Sequence, residues 1–137
     1  RAEIRARLGV LANEKLLALL PGSRALELQY IAPHVAQSLD LLRVPNLKTF
    51  VAAAPGTADK VRAVFGNRAQ VIENQSLELL RVCDAAIVKS GTSTLEAAVL
   101  GAPFVLVYEV PALLHLQIQL TGLQKKVPFV GMPNIIA

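Results

Sequence analysis

Apolar residues along the chain fall into two kinds of run that alternate. Short continuous runs of strand length occur at Leu16–Leu20, Thr49–Ala53, Ala69–Ile72, Ala85–Val88 and Phe104–Val107. Strands covered on both faces read as such unbroken apolar stretches, rather than as an in/out alternation. Between them lie segments of helical composition or of three-and-four spacing. These are Ala2–Leu8 stopped at Gly9, the stripe Leu28, Ile31, Ala32, Val35, Leu39 and Leu42, then Ala58–Phe65 before Gly66, Ser76–Cys83, and Thr94–Leu100 before Gly101. Pro33 interrupts the stripe, and because proline removes a helical hydrogen bond and clashes with the preceding turn, a kink or restart is expected there. Strand and helix alternating through short connections predict an α/β fold, a doubly wound parallel sheet with helices on both faces. One segment resists. Leu114–Thr121 alternates apolar and polar like a strand, while Pro111 and the Leu and Gln content favour a helix, so helix and strand both stand for residues 111–121.

Length and composition sharpen this. At 137 residues the chain is one domain, 1–137, large enough for a core that needs no staples. Apolar residues make up 53% and charged residues 18%, against about 25% charged in typical domains, which excludes disorder and leaves apolar surface in excess. Cys83 is the single cysteine, so an intramolecular disulfide and a Cys/His zinc cage are both excluded, and a reducing compartment is expected. The net charge of +4 suits an anionic partner. A nucleic-acid partner is not expected, since the basic groups are scattered and the chain has four Phe, two Tyr and no Trp. Phosphate on a small molecule or on a lipid surface fits better. The opening residues Arg1, Glu3, Arg5 and Arg7 do not read as a secretory signal, and the charge-poor stretch from Ala97 to Gln124 is broken by Gly101, Pro103, Glu109 and Pro111. A cytoplasmic chain is expected, with peripheral adherence to an inner-membrane surface open to it.

In an open parallel sheet, ligands bind beyond the carboxyl ends of the strands, where loops feed helix amino termini. Two loops qualify. Pro21, Gly22, Ser23 and Arg24 follow the first strand: the glycine lets backbone approach a ligand, amides at a helix start attract anions, and a guanidinium grips phosphate with two donors. The same residues also read as a turn with Ser23 capping the helix and Arg24 merely exposed. Lys89, Ser90, Gly91, Thr92, Ser93 and Thr94 follow the fourth strand and offer hydroxyls and amides, with Glu96 one turn on, placed for ribose hydroxyls. Here too a structural reading stands beside the functional one, because Ser93 and Glu96 fit a capping box.

The remaining candidates are weaker. His34 and His115 have no partner at metal-ligand spacing, and no metal is expected. Cys83 reads as a buried small residue, and Lys125 and Lys126 as a solvated helix end that can also meet anionic lipid. The GxGxxG and GxxxxGK[ST] phosphate motifs are absent, which disfavours hydride transfer and ATP hydrolysis.

Three motifs in register resemble lipid-A-disaccharide synthase. They are Leu20-Pro21-Gly22-Ser23-Arg24 with Glu27 and Pro33; Ser90-Gly91-Thr92-Ser93-Thr94-Leu95-Glu96 with Pro103 and Tyr108; and Val127-Pro128 with Gly131-Met132-Pro133-Asn134-Ile135. The resemblance spans essentially the whole chain. It implies the C-terminal, nucleotide-sugar-binding half of a GT-B glycosyltransferase built from two Rossmann-like domains, metal independent, inverting and without a cofactor. Such an enzyme joins UDP-2,3-diacylglucosamine to 2,3-diacylglucosamine 1-phosphate, giving lipid A disaccharide and UDP. It also implies that Arg24 stabilises the departing diphosphate, that Gly22, Ser23, Ser90, Gly91, Thr92 and Thr94 line it, and that Glu96 or the Asn134 backbone meets the nucleoside. The acceptor and the base are expected on the other half, so this part alone is expected to bind and not to turn over. One departure is Glu109, where the family usually carries Arg. Two other readings stay open: another UDP-sugar enzyme of the same architecture, a peptidoglycan-type GlcNAc transferase or a UDP-GlcNAc epimerase, and a non-catalytic module for anions or an anionic membrane surface.

Overall fold

The computed structural model describes residues 1–108 and residue 120. The segment 111–121 with its helix-or-strand question, His115, Lys125 and Lys126, Glu109 and Asn134 therefore lie outside the described residues, Leu120 excepted.

Five parallel strands form one sheet: β1 (Lys15–Leu20), β2 (Leu47–Ala53), β3 (Gln70–Glu73), β4 (Ala85–Lys89) and β5 (Phe104–Val107), in the spatial order β3-β2-β1-β4-β5. Among the described residues 1–108 six α-helices accompany it: α1 (Ala2–Arg7), α2 (Ala25–Tyr30), α3 (Ala32–Ser38), α4 (Ala58–Phe65), α5 (Ser76–Val82) and α6 (Thr92–Val99). The expected doubly wound sheet is the observed one. The break at Pro33 is a restart, with Ile31 between α2 and α3 and the proline in the first turn of α3, where its missing N–H costs nothing. The stripe does not run on to Leu42, because a 3₁₀ turn over Leu39–Leu41 ends it and leaves Leu42 extended.

The unbroken apolar runs are explained by two cores, one on each face. Along β1, Leu16, Ala18 and Leu20 point to one side, where Leu79, Leu80 and Val82 of α5 and Ala97 of α6 pack. Leu17 and Leu19 point to the other, against Leu28 of α2, Ile31 at the α2–α3 junction, Val35 of α3, and Val61 and Phe65 of α4. Alternate residues thus feed alternate cores, as the twofold period of a strand requires. Cys83 closes α5 as a buried residue, its thiol pushed up in pKa by burial.

The amino-terminal rim is tied down by one carboxylate. Asp84, just before β4, accepts from the Leu16 amide at 2.8 Å and from Arg5 at 3.2 Å. Arg5 in turn donates to the carbonyls of Val82 and Glu14, so a single guanidinium fastens α1 to the entry of β1 and the exit of α5. Partial burial works to raise the Asp84 pKa, but the Leu16 amide and Arg5 outweigh it and the net shift is downward.

Replacing Asp84 by Ala is expected to cost about 1.5–3 kcal/mol in urea unfolding, since it removes a hydrogen bond to a charged acceptor and strands a part-buried amide. Because the folded pKa lies below the unfolded one, the ionised Asp84 stabilises the fold above roughly pH 4, and this contribution fades as pH falls through the folded value. The wild type should therefore lose stability on acidification more steeply than Asp84→Asn.

Candidate functional site

The strand order reverses at β1. Connections run outward through β2 to β3, then cross back to β4 on the other flank of β1. Where neighbouring strands send their following loops in opposite directions a crevice opens beyond their carboxyl ends. The loops after β1 and β4 are the two glycine loops, and they border one open cleft of about 500 Å³. Of the residues singled out by sequence, Gly22, Ser23, Arg24, Gly91 and Thr92 line it. Ser90, Thr94 and Glu96 do not.

The reasons are local. Helix α6 begins at Thr92 with Gly91 as its cap, two residues before the expected start. Ser93 therefore sits inside the first turn, and the Ser93–Glu96 capping box does not form. Thr94 is fully buried and donates its hydroxyl to the Gly91 carbonyl at 2.6 Å, fixing the loop from beneath rather than facing the cleft. Ser90 is buried too, its amide extending the sheet to the Val107 carbonyl. Glu96 lies a turn further along α6, half-buried.

At the first loop the cap is Arg24, not Ser23. The amides of Ser23 and Arg24 are already engaged: both donate to Glu27 Oε2, at 2.9 and 3.1 Å. This corrects the expectation that they stand open to an anion. Glu27 Oε1 accepts from Lys89 Nζ at 2.5 Å, so an ion pair spans the crevice from α2 to the end of β4. Partial burial alone would raise the Glu27 pKa, but the Lys89 hydrogen bond and the two amides overcome it and hold the group ionised, below the usual carboxylate range. Gly22 is indispensable to this arrangement. Its φ of +109° is one that residues with a side chain rarely adopt, and a Cβ there would meet Glu27 Cβ at 2.8 Å. The guanidinium of Arg24, by contrast, is exposed at the cleft with no carboxylate partner among the described residues.

Sequence reasoning missed the far wall. Asn74 and Ser76, from the β3–α5 connection, and Ala53, Ala54 and Pro55, after β2, also line the cleft. Asn74 has φ +56°, a left-handed conformation that asparagine adopts more readily than most side chains, as Asn46 does at φ +54° away from the cleft. No motif announces these residues; only the sheet order brings them to the crevice. A second hollow of about 530 Å³, mainly apolar, lies between α3 and the strands β4 and β5, its lining including Ile31, His34, Val35, Ile87, Val107 and Tyr108. Among the described residues no three metal-ligating side chains cluster and no helix is long and apolar enough to cross a membrane.

The family model described as lipid-A-disaccharide synthetase matches residues 1–137. The chain is 40% identical over 143 aligned residues to the lipid-A-disaccharide synthase of Verminephrobacter eiseniae, an alignment covering 99% of this chain and 36% of that protein. It is 37% identical to that of Neisseria meningitidis, covering 99% and 37%. The chain thus spans about a third of the length of the curated relatives it matches. A solved glycosyl transferase of family 9 from Veillonella parvula superposes with a TM-score of 0.63 over 78% of this chain and 33% of that one at 18% identity, a likeness of fold. The chain belongs to the lipid-A-disaccharide synthetase family.

The contact between Gly22 and Glu27 is testable by comparison with Gly56, which has φ +79° but nothing within 4 Å of an added Cβ. Gly56→Ala should cost only the backbone penalty of about 1–2 kcal/mol. Gly22→Ala adds a steric clash to that penalty, and its denaturation midpoint should fall clearly further.

Proposed function

We propose, from that family membership and from the cleft, that this chain is the nucleotide-sugar-binding, C-terminal half of a lipid-A-disaccharide synthase. It holds the diphosphate of a UDP-activated diacylglucosamine between its two glycine loops. The observation that carries the proposal is the meeting of those loops at the strand-order reversal, with Arg24 at the cleft and without a carboxylate partner among the described residues. In this reading the acceptor, an acylated glucosamine 1-phosphate, approaches from the remainder of the enzyme, and the reaction takes place at the cytoplasmic surface of the membrane where acylated precursors reside.

The chemistry asked of these residues is electrostatic. As an acceptor hydroxyl oxygen attacks the sugar's anomeric carbon, the bond from that carbon to the UDP oxygen breaks and its electron pair leaves with UDP. Negative charge grows on the diphosphate, and a guanidinium already in place lowers the barrier without reorganising at that moment. Gly91 and Thr92 at the mouth of α6 offer backbone amides to the same charge. The proton of the acceptor must go elsewhere. Among the described residues Glu27 is the only carboxylate lining the cleft, and with three donors on it and a lowered pKa it is a poor base. That is what a half which binds the donor and leaves acceptor activation to another part would look like.

Calorimetric titration with UDP should give measurable binding that Arg24→Ala weakens about tenfold, the loss of one charge-assisted phosphate contact. With both acylated substrates the isolated chain should show no turnover. An absence of any UDP binding, or an unchanged affinity in Arg24→Ala, would defeat the proposal.

A further inference from the structure

The cleft proposed above for a diphosphate contains a resident anion. Glu27 is its sole acidic lining residue among the described residues, and the first loop cannot shed it, because its carboxylate ties down the Ser23 and Arg24 amides and its methylene packs over Gly22. An anionic ligand entering between the loops would meet that charge. Only one group answers it from the opposite loop: the Lys89 ammonium, 2.5 Å from Oε1, with 23% of the lysine side chain and 15% of the glutamate side chain exposed. Lys89 belongs to both loops at once. Its backbone ends β4, its ammonium reaches α2, and an added Cβ on Gly91 would lie 3.4 Å from Nζ, so the cation sits against the mouth of α6 as well. A lysine ammonium carries three donors, of which Glu27 takes one.

We propose that Lys89 is a positioning residue of the donor site: by neutralising Glu27 across the crevice it lets a carboxylate-capped loop accept a diphosphate, and it holds the two loops at the spacing the ligand needs. The inference rests on the diphosphate reading of the cleft. It assigns the selectivity for phosphate-bearing ligands to a pair of residues 62 positions apart rather than to Arg24 alone.

The test uses the full chain and four variants, Lys89→Gln, Lys89→Arg, Glu27→Gln and the double variant Lys89→Gln/Glu27→Gln. Each is checked by thermal unfolding and titrated with UDP by calorimetry and with uridine by ligand-observed NMR. Lys89→Gln should weaken UDP about tenfold while leaving uridine unchanged, because only the diphosphate senses an uncompensated carboxylate. Lys89→Arg should retain affinity within about threefold, since the charge is kept and the geometry altered. Glu27→Gln should bind UDP at least as tightly as the wild type, and the double variant should recover most of what Lys89→Gln loses. UDP affinity unchanged in Lys89→Gln, an equal loss of UDP and uridine, or a double variant no better than Lys89→Gln would each overturn the inference while leaving the nucleotide site standing. A wild-type chain that binds no UDP would remove the site itself.

Discussion

The reversal of strand order at β1 is the constraint from which the rest follows. A parallel sheet buried on both faces fixes every strand in direction, so all loops leaving carboxyl ends gather on one rim. Placing β4 beside β1, rather than beyond β3, then separates two of those loops enough to admit a ligand and keeps them close enough for one side chain to bridge. The bridge exists as the Lys89–Glu27 pair. Neither loop is special alone. The first spends its helix-start amides on its own glutamate, and the second is anchored below by the buried Thr94 hydroxyl. What the two make together is a cleft with an exposed guanidinium at its edge and a balanced ion pair across it.

Much of this architecture can be read from the amino-acid sequence, and the reason is physical. Continuous apolar runs are what strands between two cores must look like, so β1 to β5 were legible to within a residue or two, as was the restart at Pro33. The start of α6 was not, because Gly91 caps that helix without contributing a side chain, whereas Ser93, an ordinary capping residue, stands inside the first turn. The stripe through Leu42 overran for a similar reason: periodicity continues past the point where the backbone tightens into a 3₁₀ turn.

The site divides along the same line. Gly22, Arg24 and Gly91 declare themselves, since glycine beside a strand end and an arginine after it have a short-range signature. Glu27 was visible only as part of a family motif, and its grip on Lys89 not at all, because pairing across the sheet depends on strand order and no local pattern encodes that. Asn74 and Ser76 were hidden for the same reason. Thr94 and Ser90 share the motif's polarity but serve the loop's interior, which burial alone reveals.

The Asp84–Arg5 lock at the amino rim has a consequence for how such a protein can diverge. It stands a full strand away from the glycine loops, six residues in β1 or roughly 17–20 Å. That exceeds the range of about 7–10 Å within which substitutions usually interfere energetically. The loops at one end can change through many exchanges while the clasp at the other keeps the scaffold folded, so the cleft can vary without the chain first acquiring extra stability.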